Sequence, residues 1–309
     1  MGSSYDSPML RRSAVVPALA SLPLLLGAVA CAPADEEPTT AADTGSDTGS
    51  EEPAAEADPA TCVTDDMLEE PGTLTVGTDS PAYEPWFADN DPTNGEGYES
   101  AVAYAVAERL GFSEDEVEWV RVPFNTSYAP GAKDFDFDIN QISITPKRAE
   151  VVDFSQGYYQ AAQAVVALEG TAGAEATSLE DLADLRLGAQ TGTTSLTAIR
   201  DIIDPEVEPA VFEDTNAAKQ ALANDQVDAV LADLPTAFYI SAVEIPGSTI
   251  VGQFQPETGE QEEFGMLFEK GSELVTCVDA ALTAMEADGE LADIEQEWLS
   301  DVVGVPELQ

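Results

Sequence analysis

The chain has 309 residues, 44% of them apolar, with 60 acidic and 11 basic residues and no histidine, for a formal charge of −49. That length holds one large domain or two modest ones. The charge excludes nucleic acid and anionic membrane surfaces as partners, since both need clustered lysine and arginine. Without histidine, Ser-His-Asp and Cys-His catalysis and the commonest zinc sites also fall away. The acidic excess reads as a solvated face adapted to high salt, where screening weakens self-repulsion.

Residues 9–31, MLRRSAVVPALASLPLLLGAVAC, place two arginines before an apolar run that ends in small residues, the layout of a secretory signal. Pro17 and Pro23 interrupt the run, and it is too short to suit a stable spanning helix. GAVAC resembles a bacterial lipobox, with Ala28 where that motif prefers leucine, and so implies a lipid on Cys31. An ordinary cleaved signal with an incidental cysteine is the alternative. Residues 32–61 are Ala, Pro, Thr, Asp and Glu-rich, without aromatic or large aliphatic side chains, and are expected to form an acidic disordered tether. As a coil that tether reaches about 30 Å. Cys62 and Cys277 are left for the exported part, where an even pair most simply forms a disulfide. Two separate buried thiols are the other possibility.

From residue 72 the pattern alternates. TLTVGT (73–78) predicts a strand, and GYESAVAYAVAERLGF (97–112) a helix ending near Gly111. VEWVRV (117–122) and FDINQIS (137–143) read as strands. Beyond residue 160 come AQAVVAL, LRLGAQ, a helix TSLTAIRDII, EPAVF, a helix NAAKQALAND, VDAVLAD and a helix PTAFYISAVE. FGMLF (264–268) adds a strand, and one long helical tail is expected from Gly271 to Leu299. Strands alternating with helices predict an α/β protein with parallel sheets, and the length suggests two of them.

Ligands of open α/β sheets bind beyond the carboxyl ends of strands, and three such ends carry chemistry. INQISITPKR supplies polar atoms and Arg148; GAQTGTTS opens a helix with free N–H groups and hydroxyls; VDAVLADLP ends on Asp233. An arginine, an amino-terminal helix cradle and an isolated carboxylate suit a zwitterion: the first two for its carboxylate, the third for its ammonium. Taken singly, each has a plainer reading: a surface ion pair for Arg148, helix caps for Thr193, Thr194 and Asp233.

In these stretches the sequence resembles the family 3 solute-binding proteins of ABC importers, over roughly residues 72–300. ISITPKRAEVVDFSQGYY is similar to that family's Thr-x-Thr-x-x-Arg pattern followed by Asp-Phe-Ser. LTVGTD, GTTS, DAVLAD, FGMLFEKGSEL and DGELADIEQEWL are further matches in the right order. The resemblance implies a two-lobed periplasmic-binding-protein-like fold of type II, closing on its ligand. Lobe 1 is then 62–157 and 269–309, lobe 2 is 163–263, and the hinge crossings are 158–162 and 264–268. Both cysteines fall in lobe 1, so a disulfide there leaves closure free.

By the same resemblance, Arg148 grips the ligand α-carboxylate, with the N–H of Thr194 beside it and Thr193 at the helix start. Ser143 and the carbonyl of Gln141 hold the ammonium, and Asp233 pairs with it. Asp79, Tyr83, Phe124 and, less directly aligned, Trp86 stand where side-chain contacts are made. Gln141 departs from a frequent glycine and Gln190 from an occasional basic residue, which bears on side-chain specificity. The expectation is a lipid-anchored, monomeric, extracellular receptor for a polar amino acid that feeds an ABC permease, without cofactor, metal or catalysis. A cyclohexadienyl (prephenate or arogenate) dehydratase is the alternative on this fold, although no second pocket carboxylate is evident in the sequence. A structural acidic wall protein, with no small ligand, is a third.

Overall fold

In the computed structural model, residues 58–255, 261–299 and 304–309 are described. The signal, Cys31 and the tether up to residue 57 lie outside them. The last tether residues do not continue as coil: Pro59–Cys62 forms a helical turn, α1, capped by Asp58, whose carboxylate accepts from Ala60 N–H. Asp-Pro is a strong helix start, which the tether's composition concealed.

The first sheet joins β1 (Leu74–Thr78), β2 (Val117–Arg121), β3 (Phe137–Asp138), β4 (Asp153–Ala161) and β10 (Glu262–Phe268) in the order β2-β1-β3-β10-β4. The second joins β5 (Gln163–Leu168), β6 (Leu187–Gln190), β7 (Ala210–Phe212), β8 (Ala229–Asp233) and β9 (Ser248–Phe254) in the order β7-β6-β8-β5-β9. Each is mixed rather than parallel. β1 runs parallel to β2 and β3, and β6 to β7 and β8, whereas β10 and β5 are antiparallel to both their neighbours. The reason is connectivity: a strand arriving from the other lobe enters from the hinge end and must run against the βα units.

The crossings also differ from expectation. β4 passes into β5 through Ala162 alone, but 264–268 is not a crossing. Phe264, Met266, Leu267 and Phe268 are wholly buried inside the first sheet, as part of β10. Residues 304–309 leave lobe 1 as well. Glu307 bridges to Gln253, Leu308 is buried in the second core, and Leu179 N–H donates to the Gln309 carbonyl. Gly252 permits this approach, since a Cβ there would stand 2.5 Å from Leu308 Cγ.

Helices cover the sheets. In the first lobe α2 (Tyr98–Arg109) turns Tyr98, Val102, Ala103, Val106 and Ala107 inward at helical spacing, and Gly111, at φ +93°, follows its end. α3 (Phe124–Ser127) and α4 (Pro146–Ala149) are single turns beyond the ends of β2 and β3. In the second lobe α5 (Leu179–Leu182), α6 (Thr194–Ala198), α7 (Thr215–Ala223) and α8 (Leu234–Tyr239) follow their strands, α6 and α8 each running on as a wider turn. The tail is two helices, α9 (Leu274–Asp288) and α10 (Glu290–Trp298), broken at Gly289 with φ +88°.

Cys62 and Cys277 are disulfide-bonded, with Cα atoms 5.6 Å apart, tying α1 to α9 within lobe 1. The link spans 215 residues, for which chain entropy allows up to about 5 kcal/mol and engineered comparisons more often about 2–4 kcal/mol. Cys62→Ser is therefore expected to lower Tm by about 5–15 °C. Calorimetric melting checks this, and an unchanged Tm would mean the bond adds no stability.

Candidate functional site

The carboxyl ends of the central strands of both sheets face one cavity. Lobe 1 lines it with Asp79, Tyr83, Phe124, Asn140, Gln141 and Ser143; lobe 2 with Gln190, Thr193, Thr194, Ser195, Thr215, Asp233 and Thr236, over Leu231 and Ala232. Eight of the ten residues expected from sequence are here. Arg148 and Trp86 are not in the lining.

Arg148 stands directly beside it. Thr145 caps α4 by accepting from Arg148 N–H, which aims the side chain back toward Ser143. The guanidinium is buried, its carbon 4.8 Å from the Tyr128 ring centroid and 5.6 Å from that of Phe124. Nη1 donates to the Ser143 carbonyl at 2.7 Å and Nη2 to the Gly192 carbonyl at 2.9 Å, so one side chain joins the two lobes. Burial pulls its pKa down, opposed by Tyr128, Glu262 and Asp233; an arginine stays charged even so. Two of five N–H donors are engaged by these carbonyls.

Trp86 is a core residue. It is wholly buried, packed edge-on against Tyr98, Tyr159 and Phe264, and its indole N–H reaches Thr236 Oγ1 across the lobes at 2.8 Å. An indole needs a partner for its N–H when buried, and here that partner belongs to the opposite lobe. Asp79 is also partly committed: it accepts from Ser80 N–H at 2.6 Å and from Phe124 N–H at 3.0 Å, with Arg121 3.5 Å away. Tyr83 has Lys219 Nζ 5.3 Å from its ring centroid, and burial, then Asp214, pushes its phenol up to about 12.

Gln141 explains its own departure from glycine. Its φ is +47°, the left-handed region that glycine enters freely. A residue with a Cβ is held there by Glu99 of α2, which accepts from Gln141 N–H at 2.6 Å and also from its side-chain amide. Tyr158 donates to the same carboxylate. Glu99 is completely buried, and desolvation, partly offset by these bonds, pushes it from 4.5 up to about 7. Between those two values the unfolded chain loses the proton first, so stability falls as pH rises, by about 3 kcal/mol over the window. Denaturant unfolding at pH 5 and pH 8 should show a smaller drop in Glu99→Gln than in the wild type, where Asp138 and Asp233, also raised by burial, add to it; equal drops in the two proteins would contradict the contribution of Glu99.

Lobe 2 meets these groups through α6. Thr193 caps it, its hydroxyl accepting from Leu196 N–H at 3.1 Å and donating to the Gln190 carbonyl at 2.8 Å. The N–H groups of Thr194 and Ser195, first in the helix, have no acceptor within it. Thr194 Oγ1 is 3.2 Å from Ser143 Oγ. Asp233 occupies the N-cap position of α8, but its side chain makes no cap bond. Its Oδ1 instead lies 3.3 Å from Gln163 Nε2. Burial, and then Glu262, raise its pKa well above the usual carboxylate range. Asn140 Nδ2, buried in the lining, has no partner among the described residues.

Sequence reasoning missed Glu262 and Gln163. Glu262 is a third carboxylate at the cavity, beside the lining Asp79 and Asp233, accepting from Ser143 Oγ at 2.7 Å and from Gln163 Nε2 at 2.8 Å. No local motif marks either residue; one opens β10 and the other β5, and only the paired crossings bring them together. Among the described residues no cluster of three or more His, Cys, Asp or Glu is arranged to hold a metal, and no helix is long and apolar enough to cross a membrane.

The chain is similar to several known proteins. ArtP, the arginine-binding extracellular protein of Bacillus subtilis, is 28% identical over 236 residues, covering 74% of this chain and 86% of ArtP. TcyJ, the L-cystine-binding protein of Escherichia coli, is 26% identical over 234 residues, covering 75% and 84%. Among solved structures, an ancestral arginine-binding protein bound to arginine has a TM-score of 0.64 at 33% identity, covering 74% of this chain and 99% of that one. An ancestral amino acid-binding protein, a precursor of cyclohexadienyl dehydratase, has a TM-score of 0.62 at 30% identity, covering 74% and 96%. Residues 74–301 match the bacterial extracellular solute-binding proteins, family 3, and the chain belongs to that family.

Proposed function

We propose that the protein is the substrate-binding subunit of an ABC importer, taking one polar amino acid between its lobes and presenting it to a membrane permease. The observation that carries this reading is one cavity with a buried guanidinium and a helix amino end at one side and, at another, the carboxylate of Asp233, which makes no cap bond and accepts only from an amide, Gln163, among the described side chains. In that frame the N–H of Thr194 and the free donors of Arg148 take the ligand α-carboxylate. Asp233, Ser143 and the Gln141 carbonyl take the ammonium. Asp79, Tyr83, Phe124 and Gln190 surround the side chain. Arginine and cystine, after which these relatives are named, are amino acids of the required kind.

Calorimetry against the twenty L-amino acids tests the reading. One or a few polar ones should bind with one-to-one stoichiometry, and binding of none would overturn it. Relatives named as binding proteins support binding without turnover, so a cyclohexadienyl acid should be recovered unchanged.

Two finer parts of the proposal concern the chain outside the described residues and its charge. A lipid on Cys31 would hold the protein at the outer face of the cytoplasmic membrane as a monomer on an acidic tether. Mass spectrometry of the membrane fraction checks this, with Cys31→Ser released to the medium. The charge of −49 is proposed as an adaptation to high salt. Tm is expected to climb by several degrees between low and molar salt as screening relieves repulsion. A flat salt series would reject the adaptation.

A further inference from the structure

The two chain crossings bury a polar side chain each. Gln163 begins β5 and is wholly buried, and Glu262 begins β10 at 7% exposure. Glu262 Oε1 accepts from Ser143 Oγ at 2.7 Å, and Oε2 accepts from Gln163 Nε2 at 2.8 Å. A hydroxyl owns one proton. With that proton on Glu262, Ser143 Oγ has only lone pairs left for the cavity it lines.

The same carboxylate orients the Gln163 amide. With Nε2 held toward Glu262 and Asp233, Oε1 points the other way and accepts from Ser195 Oγ at 2.5 Å. Ser195 also lines the cavity, and its proton is spent in turn. An ionised carboxylate has no proton to donate, so its presence turns two lining hydroxyls, Ser143 directly and Ser195 through Gln163, into acceptors for the cavity. An ammonium brings three donors and no acceptor, and it finds lone pairs on these two hydroxyls and on Asp233.

We propose that Glu262 is a positioning residue for the ligand ammonium, acting through Ser143 and Gln163 to fix the hydrogen-bond polarity of the cavity. This rests on the amino-acid reading above and adds to it the group that selects an amine over a neutral substituent. Glutamine at 262 has the same shape but can donate. Its amide would meet Ser143 Oγ as donor and turn the serine proton toward the ligand.

The experiment uses the amino acid that calorimetry selects from the twenty and the same acid without its α-amino group. For L-arginine the partner is 5-guanidinopentanoate, and for L-glutamine it is 4-carbamoylbutanoate. Glu262→Gln is expected to weaken the amino acid by about tenfold to a hundredfold, the worth of a hydrogen bond to a charged group. The deaminated acid should change by less than about threefold, which a merely structural role would not produce. Ser143→Ala should show the same selective loss, and the double variant should be no weaker than the weaker single one. Equal losses for both acids in either variant, or no loss, would overturn the proposal while leaving the amino-acid reading intact. If the wild type binds none of the twenty, both fall.

Discussion

Replacing Arg148 by alanine is expected to weaken amino-acid binding by about 30-fold to several thousand-fold, the range for truncating one partner of a buried charged pair. Three features make the effect large. The guanidinium is buried against Tyr128 and Phe124, so a carboxylate brought to it is drawn from water into a low-dielectric site. Its planar fork has donors to spare after serving Ser143 and Gly192. It also contacts lobe 2 directly through Gly192, so the variant loses part of the closed state together with the carboxylate contact. Arg148→Lys should recover little, because an ammonium is not a planar fork. Calorimetry at fixed salt measures the loss, and melting of the free variants separates it from unfolding. Binding unchanged in Arg148→Ala would remove this residue from the site.

Asp233→Asn is expected to cost about as much, with a second signature in pH. Desolvation raises this carboxylate first, then the nearby charge of Glu262, with Glu99 contributing further; Gln163 opposes the shift. Arg148 and Tyr159 also face it. With its pKa raised, the empty site keeps a proton that an arriving ammonium must expel. Affinity should therefore be full above the raised pKa and fall as pH drops below it, by up to about tenfold per unit. In Asp233→Asn that slope should vanish. The same shift acts on folding with the opposite sense: a raised carboxylate makes the protein less stable as pH rises. Affinity and stability are thus expected to move in opposite directions with pH, and parallel movement would contradict the assignment.

The parts of this site that were legible in the sequence are those encoded locally. Arg148 follows Thr145 and Pro146, a cap and a first-turn proline; Thr193 caps α6; Asp233 stands before Leu-Pro at the end of an apolar strand. Each pattern fixes a backbone, and the backbone fixes where the side chain goes. The helix over residues 97–112 was readable from apolar spacing, and the strand over 73–78 from its β-branched run. FDINQIS forms a strand only at Phe137 and Asp138, and Ser143 rejoins the sheet as an isolated bridge to Phe264, because Gln141 between them takes a left-handed turn that depends on Glu99, 42 positions earlier. Glu262 and Gln163, 99 positions apart, carry no mutual signal along the chain. Strand direction was hidden for a similar reason, since it follows from which lobe a strand arrives from. The final residues gave no hint of returning to lobe 2, as one buried leucine, Leu308, makes no periodic pattern. Trp86 misled because a large aromatic near a binding loop suits a core as well as a cavity, and here Thr236 claimed its N–H.

A crystal structure of the protein with the amino acid that calorimetry selects tests the central claim most directly. The account predicts the α-carboxylate within hydrogen-bond reach of Thr194 N–H and the Arg148 guanidinium, and the ammonium within about 3 Å of an Asp233 oxygen. A ligand bound outside this cavity, or lying in it with its ammonium away from Asp233, would contradict the account.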